Sequence, residues 1–326
     1  MASPDVRFGT VLGLGIEETA AEARWLEDLG YESVSAPEHF MRGDPPTPSP
    51  AALPVLAVAA GATNRVRLIS SVLLVPFYHP TVLAKLTSTL DVASGGRLTL
   101  GVGVGGEFPV EYQAAQIPHE QRGGRADECL EVLKRLWTGE HVDFQGRYYS
   151  LNNVTLAPNP TQQPHPPIWV GGRREPAMRR AVRYGDGWFP YLYSPKRYRA
   201  SVERIRAIAA EEGRVLDDFR WANFLYVAIY GSKEEAAEVA ASHIGSRYSY
   251  SGDVMNLVGS YCVLGTVEDC IKRLEEYVDA GARYFVLHWP CPMEDRPRHI
   301  ETVAREILPH FRKKGAIPAH GEPVEP

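Results

Sequence analysis

The sequence predicts a single parallel (β/α)8 barrel, an α/β fold of the TIM type with insertions in its βα loops. Short β-branched runs alternate with longer stretches whose apolar residues have helical spacing, and eight such units follow one another. A chain of 326 residues has the length for eight strand–helix repeats, whereas a doubly wound sheet usually has fewer strands per domain. We therefore expect one barrel domain over residues 1–314 and a frayed C-terminal tail over residues 315–326.

Eight short segments rich in β-branched residues are the predicted barrel strands, and each precedes a helix candidate. Long βα loops are expected at residues 103–121 and 193–261, where no strict alternation is visible, and such loops carry function in a barrel. The predicted strands are residues 6–12, 33–36, 66–75, 98–102, 168–171, 187–190, 221–230 and 284–288.

Proline and glycine mark the ends of several predicted helices. The helix over residues 17–29 ends at Gly30, and the helix over residues 80–92 begins with proline and ends before two glycines. Pro176 begins a third helix that reaches residue 184. Residues 141–151 are typical of a small hairpin that precedes strand five.

Charge and composition exclude several classes of partner. Lys and Arg total 35 against 40 Asp and Glu, so the net charge of -5 provides no cationic field of the kind that nucleic acid or an anionic membrane requires. The N-terminus lacks the pattern of a signal peptide, and no apolar run reaches membrane-spanning length. We expect a cytoplasmic protein that acts on a small-molecule substrate and binds neither nucleic acid nor membrane.

The spacing of reactive residues excludes two kinds of site. No His-x-x-x-His or clustered His/Asp/Glu pattern appears among the ten histidines, so we expect no metal site. GxSxG is absent, which argues against a serine hydrolase. The four cysteines form no CxxC pair and are expected to be reduced structural thiols.

A glycine-rich run follows strand four and includes Gly101, Gly103, Gly105 and Gly106. The run satisfies GxGxxG, but Pro109 follows almost at once and the amphipathic helix starts only near residue 122. A Rossmann turn needs a helix at its third glycine, so we reject that interpretation. The run is then either a loop where backbone approaches a flat ligand or a plain flexible loop.

A second glycine site lies between strand five and the next helix. Gly171 and Gly172 precede Arg173 and Arg174 there. Exposed amides, a positive helix end and guanidinium groups suit a phosphate. The alternative is an ordinary βα turn whose arginines are solvated.

Two residues near the predicted barrel mouth have the chemistry of proton transfer. His39 follows strand two and Glu107 follows strand four, and histidine exchanges protons near neutral pH. The alternatives are a histidine that only hydrogen-bonds a loop and a solvated acid. His288, Trp289 and Trp188 end strands eight and six and are candidates for the wall of the same cavity, or for core and rim positions.

Several of these segments together resemble the bacterial luciferase-like monooxygenase and F420-dependent oxidoreductase superfamily. The resemblance rests on residues 79–106, 125–137, 167–172 and 185–188, together with Glu38 and His39. It implies a luciferase-like TIM barrel with an insertion near strand seven, commonly a homodimer, that holds a flavin or coenzyme F420 in the barrel mouth.

The resemblance also implies roles for particular residues. Members have a bulge at the end of strand three, often with a non-prolyl cis peptide, and the matching stretch predicts a cis bond between Ser71 and Val72. The glycines after strand five match the positions whose backbone receives the cofactor phosphate in relatives. The full set of implied cofactor-binding residues is Glu38, Ser71, Val72, Gly105, Gly106, Arg125, Gly171, Gly172 and Arg173, with His39 and Glu107 as the catalytic pair.

The choice of cofactor follows from the same comparison. Glu38, His39, Ser71, Val72 and Glu107 look like the set in deazaflavin-dependent sugar-phosphate dehydrogenases. Luciferases proper have an FMN-phosphate arginine in the loop after strand four, and this chain has glycines there, although Arg125 and Arg173 are possible substitutes. We expect hydride transfer with coenzyme F420. The alternatives are an FMN-dependent monooxygenase with a separate reductase, or a non-catalytic flavin-binding barrel.

Overall fold

Eight parallel strands close into a barrel in the computed structural model, which describes residues 5–13, 15–41, 48–248 and 253–314. The predicted fold class is confirmed, and the predicted bounds of strands two and eight match the observed ones. The barrel strands are β1 (Arg7–Val11), β2 (Ser33–Ala36), β3 (Arg67–Ser70), β4 (Leu98–Gly103), β5 (Ile168–Val170), β6 (Gly187–Trp188), β7 (Arg220–Ile229) and β8 (Tyr284–His288).

The register of the strands shows how the barrel closes. β1 lies between β8 and β2, with Arg7 opposite Tyr284 and Gly9 opposite Ser33. The order then runs through β3, β4, β5 and β6, and β6 pairs in parallel with β7, which pairs with β8. All eight carboxyl ends therefore open at the same mouth of the barrel, where the βα loops meet.

The strands are joined by helices that cover the barrel, and further helical turns lie in the loops. Residues 303–307 form a short π-helical segment between the last two helices. The helices are α1 (Thr19–Asp28), α2 (Ala52–Ala62), α3 (Pro80–Ala93), α4 (Pro109–Ala114), α5 (Arg122–Leu136), α6 (Glu175–Tyr184), α7 (Pro195–Glu211), α8 (Lys233–Tyr248), α9 (Val254–Tyr261), α10 (Val267–Asp279), α11 (Arg296–Thr302) and α12 (Leu308–Lys314).

Apolar side chains form one layer inside the barrel and another between strands and helices. Trp169, Phe224 and Tyr284 belong to the inner cluster, whereas Trp188 packs in the outer one. Strands approach closely at Gly101, where a Cβ atom would lie 1.9 Å from the Ser70 carbonyl oxygen. Only glycine leaves that space free, so Gly101 permits the packing of β3 against β4.

Three loops differ from or refine the sequence expectations. β3 ends at Ser70, earlier than predicted, and a short strand follows at Leu73–Leu74. A cis peptide joins Ser71 to Val72, so the predicted cis bond is confirmed. The loop after β4, read from sequence as aperiodic, contains α4. The predicted hairpin is confirmed as Val142–Gln145 paired with Ser150–Val154.

The insertion around strand seven consists largely of regular elements. It contains α7, β7, α8 and α9, and the strand Val263–Gly265 extends the sheet in parallel beside β7.

The four cysteines are buried and unpaired. In the described part of the chain, no helix is both long and apolar enough to cross a bilayer. The tail predicted at residues 315–326 lies outside the described residues.

Candidate active site

The predicted site residues follow four adjacent strands of the barrel. His39 follows β2, the Ser71–Val72 bond follows β3, Glu107 follows β4 and Arg173 follows β5. Because β2, β3, β4 and β5 are neighbours in the barrel, these loops share one half of the mouth. Active sites of such barrels lie at this end.

The His39 ring lies between two carboxylates. Its Nδ1 atom is 3.2 Å from Oε1 of Glu111, and its Nε2 atom is 3.9 Å from Oε2 of Glu107. The ring of Phe108 meets it edge-on, with centroids 4.9 Å apart. Each ring nitrogen therefore faces a different acid, an arrangement that suits proton exchange at Nε2.

Glu111 was missed in the sequence, although it is central to this arrangement. Its side chain is fully buried, and its Oε1 atom accepts hydrogen bonds from the backbone amides of Phe40 at 2.7 Å and Met41 at 3.3 Å. It lies on α4, whose first residue is Pro109. The signal in the sequence was a second acid four residues after Glu107, behind a proline that starts a helix.

Glu107 has an environment that disfavours its charge. Desolvation raises the pKa of Glu107 above its ordinary value, outweighing the attraction of His39 and Arg173, and repulsion from Glu111 acts in the same direction. The side chain remains 37% exposed. Glu107 therefore holds its proton to a higher pH than an ordinary glutamate does.

Replacing Glu107 with glutamine is expected to raise the melting temperature slightly at pH 8 and to leave it unchanged at pH 4. A carboxyl whose folded-state pKa is raised supports folding at low pH and loses that contribution as pH rises through the raised value. The difference stays small because solvent screens the side chain. Thermal unfolding of both proteins at the two pH values checks this, with the exposed Glu120→Gln as control. The prediction is contradicted if the melting temperature of Glu107→Gln exceeds that of the wild type by less at pH 8 than at pH 4.

Glu38 supports the site from within the loops. Its carboxylate accepts hydrogen bonds from the Ala52 amide at 3.2 Å, the Leu74 amide at 3.2 Å and the Tyr78 hydroxyl at 2.8 Å. The residue is only 3% exposed, and burial raises the pKa of Glu38. These contacts connect the loop after β2 to α2 and to the segment after β3, which bears the cis bond.

The Ser71–Val72 bulge lies among glycines of the neighbouring loops. A Cβ atom on Gly103 would lie 2.6 Å from Cγ2 of Val72, and one on Gly171 would lie 3.3 Å from its Cγ1. The Ser71 hydroxyl is buried and has no hydrogen-bond partner within the described ranges. An unsatisfied hydroxyl beside an apolar side chain and bare backbone fits the edge and face of a planar polar ring.

The glycine loop after β4 has an arginine beside it that the sequence did not single out. Gly105 and Gly106 have φ values of +65° and +110°. A Cβ atom on Gly106 would lie 3.4 Å from Nε of Arg122, the first residue of α5. Arg125, the predicted cation, instead packs 5.1 Å from the ring centroid of Tyr148 in the hairpin, and its Nε atom donates to Gln121 at 3.0 Å.

At the second glycine site, one of the predicted phosphate donors already takes part in a hydrogen bond of the barrel. The Gly171 amide donates to the Val102 carbonyl at 2.7 Å, so the barrel already uses it. Gly172 has a φ of +121°, and its carbonyl accepts from the Trp188 indole at 3.1 Å. Trp188 is therefore a fully buried core residue that supports this loop.

Arg173 completes this second loop. Its guanidinium lies 4.8 Å from the ring centroid of Tyr191 and interacts electrostatically with Glu107. The following helix α6 starts two residues later, at Glu175. Arg173 and the positive end of α6 are therefore the cationic groups that lie at this loop.

A cavity of about 1170 Å³ occupies the other half of the mouth. Its wall includes the ends of β1, β2, β7 and β8, and His288 and Trp289 line it as the sequence suggested. His243 and Ile244 of α8 also line it, so the insertion contributes to the cavity. The cavity volume is above the usual range for small-molecule sites.

Known proteins share both the sequence pattern and the fold. An F420-dependent glucose-6-phosphate dehydrogenase from Microbacterium testaceum is 28% identical over 320 residues, covering 89% of this chain and 92% of that protein. An FMNH(2)-dependent dimethylsulfone monooxygenase from Pseudomonas putida is 31% identical over 225 residues, covering 68% and 61%. The structure of a monooxygenase from Streptomyces bottropensis superposes with a TM-score of 0.78 at 25% identity, covering 94% of this chain and 99% of that one.

A family model also matches most of the chain. The model described as luciferase-like monooxygenase matches residues 2–284, which include the whole barrel up to the first residue of β8. The site geometry above lies within that range. The chain therefore belongs to the luciferase-like monooxygenase family.

Proposed function

We propose that this protein is an oxidoreductase that transfers hydride between coenzyme F420 and a small organic substrate. The observation that carries the proposal is the His39 ring, held between Glu107 and Glu111 in the loop next to the one that bears the Ser71–Val72 cis peptide. Two carboxylates around one imidazole are a proton-handling arrangement that a storage protein does not need. The non-catalytic flavin-binding barrel is therefore the weakest of the three candidates.

The residues present fit a planar, phosphate-bearing cofactor. Val72 would support the ring face and the Ser71 hydroxyl would reach a polar ring atom, because it is buried and unsatisfied within the described ranges. Gly172, Arg173 and the start of α6 would receive phosphate, as would the Gly105–Gly106 loop with Arg122 or Arg125. When bound, the deazaflavin ring supplies the hydride donor or acceptor. His39 and Glu107 then hold and move the substrate proton.

The relatives support F420 first and FMN second. The F420-dependent dehydrogenase aligns along nearly the whole chain, whereas the FMNH(2)-dependent monooxygenase aligns over about two thirds of it. An FMN enzyme of this kind would be a monooxygenase that excludes water from its site and receives reduced flavin from a separate reductase. The glycines after β4 favour F420, and Arg122 at that loop is the feature that favours FMN.

Titration of the purified protein with oxidised and reduced F420, and with FMN, tests the proposal by fluorescence. We expect tight binding of F420 and weak binding of FMN, with Arg173→Ala weakening F420 binding and the exposed Arg305→Ala leaving it unchanged. Tight FMN binding with F420 ignored would favour the monooxygenase. Binding of neither would refute both cofactor assignments.

We also propose that the protein is a homodimer, which a match in sequence alone does not establish. α2 contains no charged residue, and its outer face exposes Val58; the adjacent α3 exposes Val82, Leu86 and Val92. An apolar face of this kind on two neighbouring helices is typical of an interface between copies. Sedimentation of wild type and Leu86→Glu tests this, and a monomeric wild type would refute it.

The cytoplasmic location stays a prediction.

A further inference from the structure

The cavity opposite the glycine loops has a strongly apolar wall. Ile16 and Met293 both line it and are 64% and 51% exposed, among the most exposed large apolar side chains described. Val55 and Ile244 extend the apolar surface from α2 and α8. Large apolar side chains left in water at the rim of a concave site mark a surface that an apolar ligand covers.

Two polar rings from neighbouring barrel strands line the cavity. Tyr226 and His288 are register partners on β7 and β8, and their ring centroids are 5.1 Å apart. Both line the cavity, and Tyr226 is almost fully buried. A few polar groups in an apolar site orient a ligand that is itself mostly apolar.

The charges on the described part of the wall disfavour an anionic ligand. Glu17 and Glu18 are exposed at the rim. Arg296 also lines the cavity, but it is buried and its Nη1 atom is 2.5 Å from Oε1 of the buried Glu22. Its charge is therefore neutralised within the protein, and the two rim carboxylates repel a phosphate.

We propose that this cavity binds an uncharged alcohol or carbonyl compound with a bulky hydrocarbon body, and that Tyr226 and His288 help to orient it. The inference rests on the proposed function, because it names the substrate class for the hydride transfer. This substrate class differs from a sugar phosphate, although the relative from Microbacterium testaceum is named a glucose-6-phosphate dehydrogenase.

Competition with Nile red, a neutral apolar dye, tests the cavity without any cofactor. We expect the dye to bind the wild-type protein and to be displaced by decan-2-ol or decan-2-one but not by glucose 6-phosphate. Ile16→Glu/Met293→Glu is expected to weaken dye binding about tenfold, because it places charges in the apolar wall. Val215→Glu is the matched control, since Val215 is 73% exposed in the loop that precedes β7, at the other end of the barrel.

The same proteins are then titrated with F420, and this separates the two proposals. Displacement of the dye by decan-2-ol supports the cavity assignment even where neither F420 nor FMN binds, which refutes only the proposed function. Displacement by glucose 6-phosphate and not by decan-2-ol overturns the substrate class, whatever the cofactor result. Equal loss of dye binding in Val215→Glu also overturns it, because the dye then lies elsewhere.

A different observation, the burial of Glu111 against His39, carries a second inference. The Glu111 carboxylate accepts from two backbone amides of the loop that bears His39, and it also faces Nδ1 of the ring. A carboxylate oxygen that accepts from two backbone amides also favours a donor at Nδ1, so the geometry points to the proton on Nδ1. The Nε2 atom then has the free lone pair and faces Glu107.

We infer that Glu111 is a positioning residue, which holds the His39 ring with Nε2 as the atom that exchanges the proton. This also rests on the proposed role of His39. Nitrogen NMR of the protein without cofactor reports the tautomer directly. We expect the Nδ1–H form in the neutral ring of the wild type and loss of that preference in Glu111→Leu, with turnover reduced roughly 10²-fold or more, within the range of acid–base catalysis.

Glu111→Gln is a second variant that keeps the inference testable if Glu111→Leu does not fold. The amide oxygen of glutamine accepts from the same donors, so we expect this variant to keep the Nδ1–H form and to recover most of the turnover lost in Glu111→Leu. A wild-type ring in the Nε2–H form, or an unchanged tautomer in Glu111→Leu, overturns the inference. Because the NMR readout needs no cofactor, failure to bind F420 leaves this test intact.

Discussion

Replacing His39 with asparagine is expected to reduce turnover by about 10²- to 10⁴-fold, the usual contribution of a positioned acid or base. The asparagine amide still donates towards Glu111, so the loop after β2 is expected to keep its conformation. The imidazole that faces Glu107 is lost, and with it the group that exchanges the proton. Cofactor affinity should remain unchanged, because the loops after β3, β4 and β5 supply the binding groups.

Steady-state turnover and a parallel cofactor titration check this prediction. His79→Asn is a suitable control, since His79 is an exposed histidine whose Nδ1 atom lies 2.7 Å from the Thr81 hydroxyl at the start of α3. We expect that variant to behave like the wild type. Turnover retained in His39→Asn would contradict the prediction and would remove the histidine from the mechanism.

Replacing Arg296 with methionine is expected to destabilise the fold by about 3–5 kcal/mol, because it leaves the buried Glu22 carboxylate without its countercharge. Arg296 is 4% exposed and Glu22 is 1% exposed. Arg296 also donates to the Val11 carbonyl at 2.6 Å, so it joins α11 to the end of β1. The substitution therefore also removes a contact between α11 and the first strand of the barrel.

Equilibrium unfolding in urea measures the loss of stability in Arg296→Met, and a double variant tests its cause. Arg296→Met/Glu22→Leu removes both charges and is expected to recover most of the stability lost in the single variant. Arg305→Met breaks the exposed pair with Glu301, at 3.1 Å, and should change the free energy of unfolding by less than about 1 kcal/mol. Equal losses in the buried and exposed variants would contradict the argument from burial.

The sequence alone predicted the barrel because the barrel is built from a local pattern. Eight β-branched runs, each followed by helical periodicity, appear along the chain whatever their partners in space. The same logic placed His39 and Glu107 at the mouth, since residues that directly follow parallel strands share one end of a barrel. The cis bond between Ser71 and Val72 was predicted from resemblance and not from such a pattern.

Only the tertiary structure decided which side chains pair and which backbone donors are already used. His39 and Glu111 are 72 residues apart, and their contact depends on how α4 folds back over the loop after β2. Gly171 looked like a phosphate donor in sequence, yet its amide bonds Val102 in the next strand. Hydrogen bonds between distant loops depend on three-dimensional distance and direction, which periodicity and residue type along a chain do not encode.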